Sequence, residues 1–514
     1  MSKHKSFSPF SPWLLLAIGL FLTAGFALMP FYVYHLNNDG VSYLSIAAKY
    51  AQGSATAISS YWGPLYSWLI AIFLKLGVSG FVAVRVINLL CGAAILVAIW
   101  TLARQLNVQP FFRVPLLLVS SVLLLTYALD VISPDLLLAC LLLWYIVIAL
   151  DERSITSRRL QFLIGLLGGI AFLAKSVALP LFCLHLFFLH GVWWVSGKRF
   201  PIVARSFALS IFVFACIAAP WIAIISKQTG HMTVGESARV IHASYNPLLG
   251  RSIPMYTQGL LPPPDALATS MWDDPTQSAA KDWSPFESLG KFIDQIKIVL
   301  LNAIAALTLY ATYSWLLLPL IGFSFVAACT KSSWYDRHVA RIFAGTAVLI
   351  TGLYLPFVVD LRYLWVVVLL GLVWMFALVS KLYDHHIFSR LQMRVLLCGI
   401  GCCFLVLPLW QLAMNFRDGE GLYAQAMAIA DVLPLRDAAI ASDSWKQGLY
   451  LSSFVGGRYY GQPKISSDNE VDQQLRSQNI DYYIVWGKAP SLRSYTDVTP
   501  SALSGVHVYT RNVQ

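Results

Sequence analysis

The sequence predicts an α-helical polytopic membrane protein: about eleven transmembrane helices followed by a small soluble α/β domain. Three observations lead there. The chain of 514 residues is 58% hydrophobic and only 12% charged, whereas soluble domains are about 25% charged. Its apolar residues fall in runs close to the ~20 that an α-helix needs to cross a bilayer. Its basic residues sit in short clusters between those runs. A chain this apolar cannot cover itself with polar surface, so lipid must solvate much of it.

The runs place helices near residues 13–34, 79–103, 114–129, 133–150, 161–178, 180–197, 205–226, 297–328, 342–359, 361–380 and 394–413. The stretch 297–328 is long enough to be tilted or to begin with an interfacial segment. The stretch 64–77 is shorter and interrupted, and reads as a re-entrant or interfacial helix. Taken as a full span it would invert everything after it. The first run follows Lys3, His4 and Lys5 as a signal peptide would. It is too long for a signal h-region and no small-residue cleavage site follows, so it reads as a retained first helix.

Orientation follows from the basic residues. With the N-terminus cytoplasmic, the inside loops carry Lys3/Lys5, Arg104/Arg113, Arg153/Arg158/Arg159, Lys198/Arg199/Arg205, Lys331/Arg337/Arg341 and Lys381/Arg390/Arg394. Every inside loop has its basic group and the short outside loops have scarcely any, as the positive-inside rule requires. The net charge of +11 is thus topogenic, and nucleic-acid binding is excluded as its explanation. Three regions are expected outside a bacterial inner membrane: the first loop (35–78), a long loop (227–296) and everything after about residue 414. The expected domains are a transmembrane catalytic unit, 1–413, and a periplasmic unit, 414–514.

In the tail, Ala438–Asp443 reads as a strand, Trp445–Phe454 as a helix and Arg458–Gly461 as a strand. Asn469–Asn479 reads as a helix, with Ile480–Trp486 and Val506–Thr510 as further strands. It holds no Gly-rich phosphate loop and no nucleophile motif. The eight cysteines all lie in apolar stretches. No pair has zinc spacing, so they read as small packing residues rather than as a disulfide or metal framework.

Candidate chemistry concentrates in the outside segments. Asp39 lies just beyond the first helix, and Tyr43 one helical turn further on. Two compatible readings stand for Asp39: the N-cap region of an interfacial helix ending at Gly53, or a catalytic carboxylate. Asp130 and Asp135 flank the turn between helices three and four. Asp135 follows Pro134 in a first turn, where the helix dipole alone favours a carboxylate. Lys175 is near the outer end of helix five, and an ionisable residue at membrane depth is a functional candidate by default. Asp360 and Arg362 open helix ten and could form a local ion pair. Arg85, near the start of helix two, could snorkel to head groups. In the long loop, His231, Glu236 and His242 could ligate a metal, although three polar residues in such a loop are more often solvated. A loop of that length is commonly functional, and its segment Trp272-Asp273-Asp274-Pro275 suits a cover.

In order along the chain stand Asp39, Tyr43 and Pro64-Leu65-Tyr66-Ser67-Trp68-Leu69. Ser133-Pro134-Asp135-Leu136-Leu137, Gly168–Lys175 and Leu361-Arg362-Tyr363 follow. This series resembles the membrane-embedded glycosyltransferases of the GT-C class, in the prokaryotic branch related to protein O-mannosyltransferases and lipid A aminoarabinose transferases. The resemblance implies an inverting transfer of a monosaccharide from a polyprenyl-phosphate donor to an acceptor hydroxyl on a glycolipid, polysaccharide or protein. It implies Asp39 as base, with Lys175 and Arg362 as candidate cations for the departing phosphate. Arg85, Arg239 and Arg251 stand behind them, and Tyr43, Asp135 and Tyr363 complete the substrate-binding set. The pattern departs where relatives carry paired acids, since Gly40 follows Asp39. Tyr61-Trp62-Gly63 also stands where aminoarabinose transferases have an acid before Pro-Leu. No metal site is therefore assigned, although the chemistry would accommodate a divalent cation. The rival class is a lipid-sugar flippase or transporter. Its usual marks are internal repeats and midplane charges, and neither is visible here.

Overall fold

A computed structural model describes residues 11–244, 255–257, 259–278, 283–331, 335–464, 467–501 and 503–512. The membrane part begins with α1 (Pro12–Leu28), followed by two shorter helices, α2 (Asn38–Ala51) and α3 (Pro64–Lys75). Then come α4 (Gly80–Gln105), α5 (Pro110–Asp130), α6 (Asp135–Ala149), α7 (Arg158–Ala174), α8 (Ala178–Val195) and α9 (Phe200–Thr229). The short α10 (Ser237–Ser244) lies in the long loop. The bundle closes with α11 (Leu289–Tyr313), α12 (Leu317–Cys329), α13 (Arg337–Tyr354), α14 (Trp365–Asp384) and α15 (Arg390–Met414). Among the described residues, eight helices are long and apolar enough to cross a membrane, and α6 and α12 are apolar but shorter. A count of eleven therefore also draws on helices below that length or hydropathy.

The stretch expected as one helix over 297–328 is two. Ser314 is extended, with φ −165° and ψ 125°, and its side chain turns back to accept from the Leu316 N–H. On α11, Gln295 and Asn302 donate to the carbonyls of Pro356 and Leu355, and the Tyr313 hydroxyl donates to that of Leu361. Both ends of α11 thus stay beside the segment between α13 and α14. The descent is left to α12, whose far end meets Arg341 through the Ala328 carbonyl. Helix α14 is buried on nearly all sides, while α11 and α15 expose most of their apolar surface. Lipid is the natural solvent for such faces.

The first loop folds down onto the bundle. Helix α2 is amphipathic, burying Val41, Tyr43, Ile46 and Ala47. Gly63, before α3, lies against the end of α7, where a Cβ would collide with the Ala174 carbonyl. Pro64 then supplies the first position of α3, where its missing N–H costs nothing.

The tail opens with α16 (Glu420–Ala430) and continues with β1 (Ala439–Ser442), α17 (Trp445–Val455), β2 (Arg458–Gly461) and α18 (Asp468–Ser477). It ends with β3 (Tyr482–Val485), β4 (Tyr495–Asp497) and β5 (His507–Arg511). The strand order is β2-β1-β3-β5-β4. β2, β1 and β3 run parallel through helical crossovers, and β5 and β4 extend the sheet antiparallel. Neither α16 nor β4 was read from the sequence.

This domain packs on one pole of the bundle. Tyr34, after α1, stacks on Tyr423 with ring centroids 3.8 Å apart and meets Phe454 edge-on. Tyr256 of the long loop stacks on Trp445. His35 bridges Asp130 at 3.2 Å and Asp418 at 2.7 Å. Burial alone would lower the His35 pKa, but hydrogen bonds to the two carboxylates outweigh it and hold the pKa above its ordinary value.

Candidate active site

Between the domain pole of the bundle and α17 lies a cavity of about 500 Å³. Six of the segments that meet there are remote in sequence: the start of α2, the α5–α6 turn, the long loop, the end of α11, the turn before α14, and α17. Asp39, Asp360, Arg362 and Tyr363 line it, with Tyr127, Trp272, Tyr313, Trp365 and Tyr450 among its aromatic wall.

Asp39 occupies the first turn of α2, with Asn37 at the N-cap position. The Asn37 side chain is committed elsewhere, accepting from the Ile132 N–H at 2.9 Å. That leaves the Asp39 carboxylate pointing at partners across the cavity. Arg362 Nη2 donates to its Oδ2 at 2.5 Å and Trp272 Nε1 donates to its Oδ1 at 3.2 Å. Next to it, Asn38 accepts from the hydroxyl of Tyr450 at 3.2 Å, so a tail side chain forms part of the wall. Gly40 has a steric reason. A Cβ there would lie 2.7 Å from the Cβ of Ile132, which leaves no room for a second acid after Asp39.

Arg362 sits in a single 3-10 turn, Leu361–Leu364, which Asp360 caps by accepting from the Arg362 N–H. This short turn aims the guanidinium back into the cavity. Behind it stands Asp135, whose side chain is only 3% exposed. Its Oδ1 accepts from Lys175 Nζ at 2.6 Å. Its Oδ2 faces Arg362 Nε at 3.5 Å, too long for a charge-assisted hydrogen bond, and neither atom has a hydrogen-bond partner among the described residues. Buried polar atoms left short of ideal geometry call for an explanation, and a catalytic role is one of them.

Helix α7 ends one turn earlier than the expected helix five, and Lys175 is its C-cap in an extended conformation. That conformation lifts Nζ off the helix. It lies 3.9 Å above the Tyr363 ring, which in turn stacks on Tyr354 at 4.4 Å. A cation over a tyrosine face is worth about 0.5–2 kcal/mol depending on desolvation. Two cations and two carboxylates thus alternate from Asp39 through Arg362 and Asp135 to Lys175, with Asp360 flanking at 3.5 Å from Arg362.

The structure brings together five of the residues singled out in the sequence: Asp39, Asp135, Lys175, Arg362 and Tyr363. Tyr43 lies behind the cavity wall, edge-on to Trp62 and Tyr66 and fully buried from solvent. Arg85 is neither on the wall nor snorkelling. It is 0% exposed, and its Nη2 donates to the carbonyls of Tyr32 at 3.0 Å and His35 at 2.5 Å, tying off the chain after α1. Arg239 pairs with Glu236. Arg251 lies outside the described residues. His231 and Glu236 join at 3.1 Å, but His242 turns away to Gln295. Among the described residues no group of three His, Cys, Asp or Glu could hold a metal ion. Burial opposes the Glu236 carboxylate, yet hydrogen bonds with Thr233, Arg239 and His231 hold its pKa below the usual range.

The long loop is anchored by an ion triad of which Lys49 and Asp273 are buried. Lys49 Nζ reaches Asp265 at 2.8 Å and Asp273 at 3.2 Å, and Ser45 donates to Asp273 at 2.5 Å. Burial pushes the Asp273 carboxyl up to about 6, although Lys49 and Ser45 act to lower it. This anchor holds Trp272, and with it the hydrogen bond to Asp39. Lys49 stood inside an amphipathic run with no local sign of a buried partner. Tyr450 is 412 residues from Asn38, and nothing in its own helix marked it.

No curated protein matches the chain in sequence. Residues 62–223 match the family of dolichyl-phosphate-mannose-protein mannosyltransferases. In fold the chain is similar to ArnT from Cupriavidus metallidurans bound to undecaprenyl phosphate. That match has a TM-score of 0.55 and 14% identity, and it covers 98% of each chain. It is also similar to the oligosaccharyltransferase of Archaeoglobus fulgidus in complex with Zn and sulfate. There the TM-score is 0.58 and the identity 12%, covering 92% of this chain and 67% of the other. The chain therefore shares the fold of ArnT over nearly its whole length, and its stretch 62–223 is similar to the dolichyl-phosphate-mannose-protein mannosyltransferases.

Proposed function

We propose that this chain is an inverting glycosyltransferase. It moves a monosaccharide from a polyprenyl-phosphate donor to an acceptor hydroxyl at the outer face of a bacterial inner membrane. In this reading residues 1–413 form the catalytic membrane unit and residues 414–514 a periplasmic domain. The observation that carries the proposal is the Asp39–Arg362 pair on the wall of the cavity, with the Asp135–Lys175 pair directly behind it.

The chemistry needs a base and a cation a few ångströms apart. The acceptor oxygen attacks the anomeric carbon as the bond from that carbon to the phosphate oxygen breaks, which inverts the configuration. The acceptor proton passes to Asp39, and the electron pair leaves with the lipid phosphate. Removing the proton in the transition state contributes about 10²–10⁴-fold. Arg362 is the cation for the departing phosphate, because Nη2 and the backbone N–H are its only hydrogen-bonded donors among the described residues. Lys175 adds positive charge on the same side and holds Asp135. The wall of Tyr127, Trp365 and Tyr313 offers rings for a sugar face or the first isoprene unit. The acceptor class is a glycolipid, a polysaccharide or a protein, approaching past Trp272 and Tyr450.

The test is a panel of synthetic polyprenyl-phosphate sugars offered to the purified full chain, with release of polyprenyl phosphate as the readout. Consumption of at least one donor supports the transferase. If none is consumed or bound, the proposal fails.

A further inference from the structure

The pole opposite the Asp39 cavity carries a second cavity of about 360 Å³, bounded by the end of α4, the start of α13 and the last turns of α14. Its wall sets the apolar face of Trp374 beside Asn107, Arg337 and Lys381. Both cations are partly buried, and among the described residues neither makes a hydrogen bond or an ion pair. The other partly buried arginines at this pole are engaged. Arg113 donates to the Val108 carbonyl and lies over Trp100, and Arg341 donates to the Ala328 carbonyl. A half-buried cation loses hydration and gains from an anion that replaces it.

Among the described residues the single carboxylate on the wall is Asp336. It caps α13, its Oδ1 accepting from the N–H groups of His338 and Val339. Two cations against one carboxylate leave one net positive side-chain charge on the wall. The N-terminus of α13 adds partial positive charge, while the C-terminal ends of α4 and α14 add partial negative charge. A phosphodiester carries one negative charge. The same pole bears the basic loops around Arg104, Arg158 and Lys198, and such a surface concentrates anionic lipid.

We propose that this cavity binds the phosphate head group of an anionic phospholipid, with Arg337 and Lys381 as its ligands. The site is separate from the Asp39 cavity and does not depend on the proposed reaction.

The experiment uses the purified full chain in phosphatidylcholine nanodiscs. Thermal unfolding is followed as phosphatidylglycerol is added, with matched titrations of inorganic phosphate and glycerol phosphate. Phosphatidylglycerol is expected to raise the unfolding temperature and to stay bound in native mass spectrometry. The variant Arg337→Gln/Lys381→Gln should lose that shift and bind at least about tenfold more weakly. In pure phosphatidylcholine it should unfold as wild type does. Arg158→Gln, on the same pole but away from the cavity, should keep the shift. Should the double variant not fold, the single variants take its place, each with a reduced shift. An unchanged shift in the variants, an equal effect from inorganic phosphate, or no shift with any lipid would each overturn the proposal.

Discussion

Arg362 Nη2 donates to Oδ2 of Asp39 at 2.5 Å across 323 positions of sequence. In the proposed reaction this one contact joins the base to the cation that receives the leaving phosphate. An arriving lipid phosphate competes with Asp39 for the guanidinium, so donor binding releases the carboxylate for the acceptor hydroxyl. A binding step would then set the state of the base.

This arrangement depends on the planar fork of arginine. Arg362→Lys keeps the charge but cannot hold a phosphate while staying in reach of Asp39 and Asp135. Transfer should fall by about 10²–10³, the usual loss for one preorganised donor, while thermal unfolding stays close to wild type. Wild-type turnover in the lysine variant would remove Arg362 from the phosphate site.

Asp135 and Lys175 make a more structural prediction. Both are largely buried, and Asp135 is the more enclosed. Lys175→Met leaves the Asp135 carboxylate with one distant cation and should destabilise the protein by about 3 kcal/mol. Asp135→Leu strands Lys175 in the same way. The double variant should recover much of the lost stability but not the activity. Thermal unfolding and transfer, measured on all four proteins, check this.

The latch at His35 titrates. Its pKa is raised in the folded chain by the Asp130 and Asp418 carboxylates, so the cation is the state that folding favours. The stability it contributes is complete below the unfolded value of about 6.5. It is lost as pH rises through the raised folded value. Amide protection at residues 415–420, taken relative to the base-catalysed intrinsic exchange rate, should therefore fall on going from about pH 6 to pH 9, and His35→Gln should abolish that fall. Equal protection at both pH values would place the hold elsewhere, in the stack of Tyr34 on Tyr423.

The parts of this molecule that were legible in sequence are those governed by local periodicity and by single special residues. Runs of apolar residues marked the helices because lipid imposes a length. Asp39, Asp135, Lys175 and Arg362 stood out because a charge at a helix end near the bilayer is costly without a use. The break at Ser314 did not show. Its neighbours are as apolar as any span, and only the bonds from α11 to residues 351–361 explain it. Arg85 was equally opaque, since only the folded chain reveals that two carbonyls after α1 need a donor. Lys49 and Tyr450 act through partners more than 200 residues away, and no local pattern encodes such a pairing.

The central claim is that Asp39 takes the acceptor proton. The most direct measurement is transfer of labelled sugar from a polyprenyl-phosphate donor by wild type and Asp39→Asn side by side, with donor binding measured on both. The account predicts that the asparagine variant folds, binds donor, and transfers at least about 10²-fold more slowly. Transfer at the wild-type rate by a folded Asp39→Asn protein would contradict it.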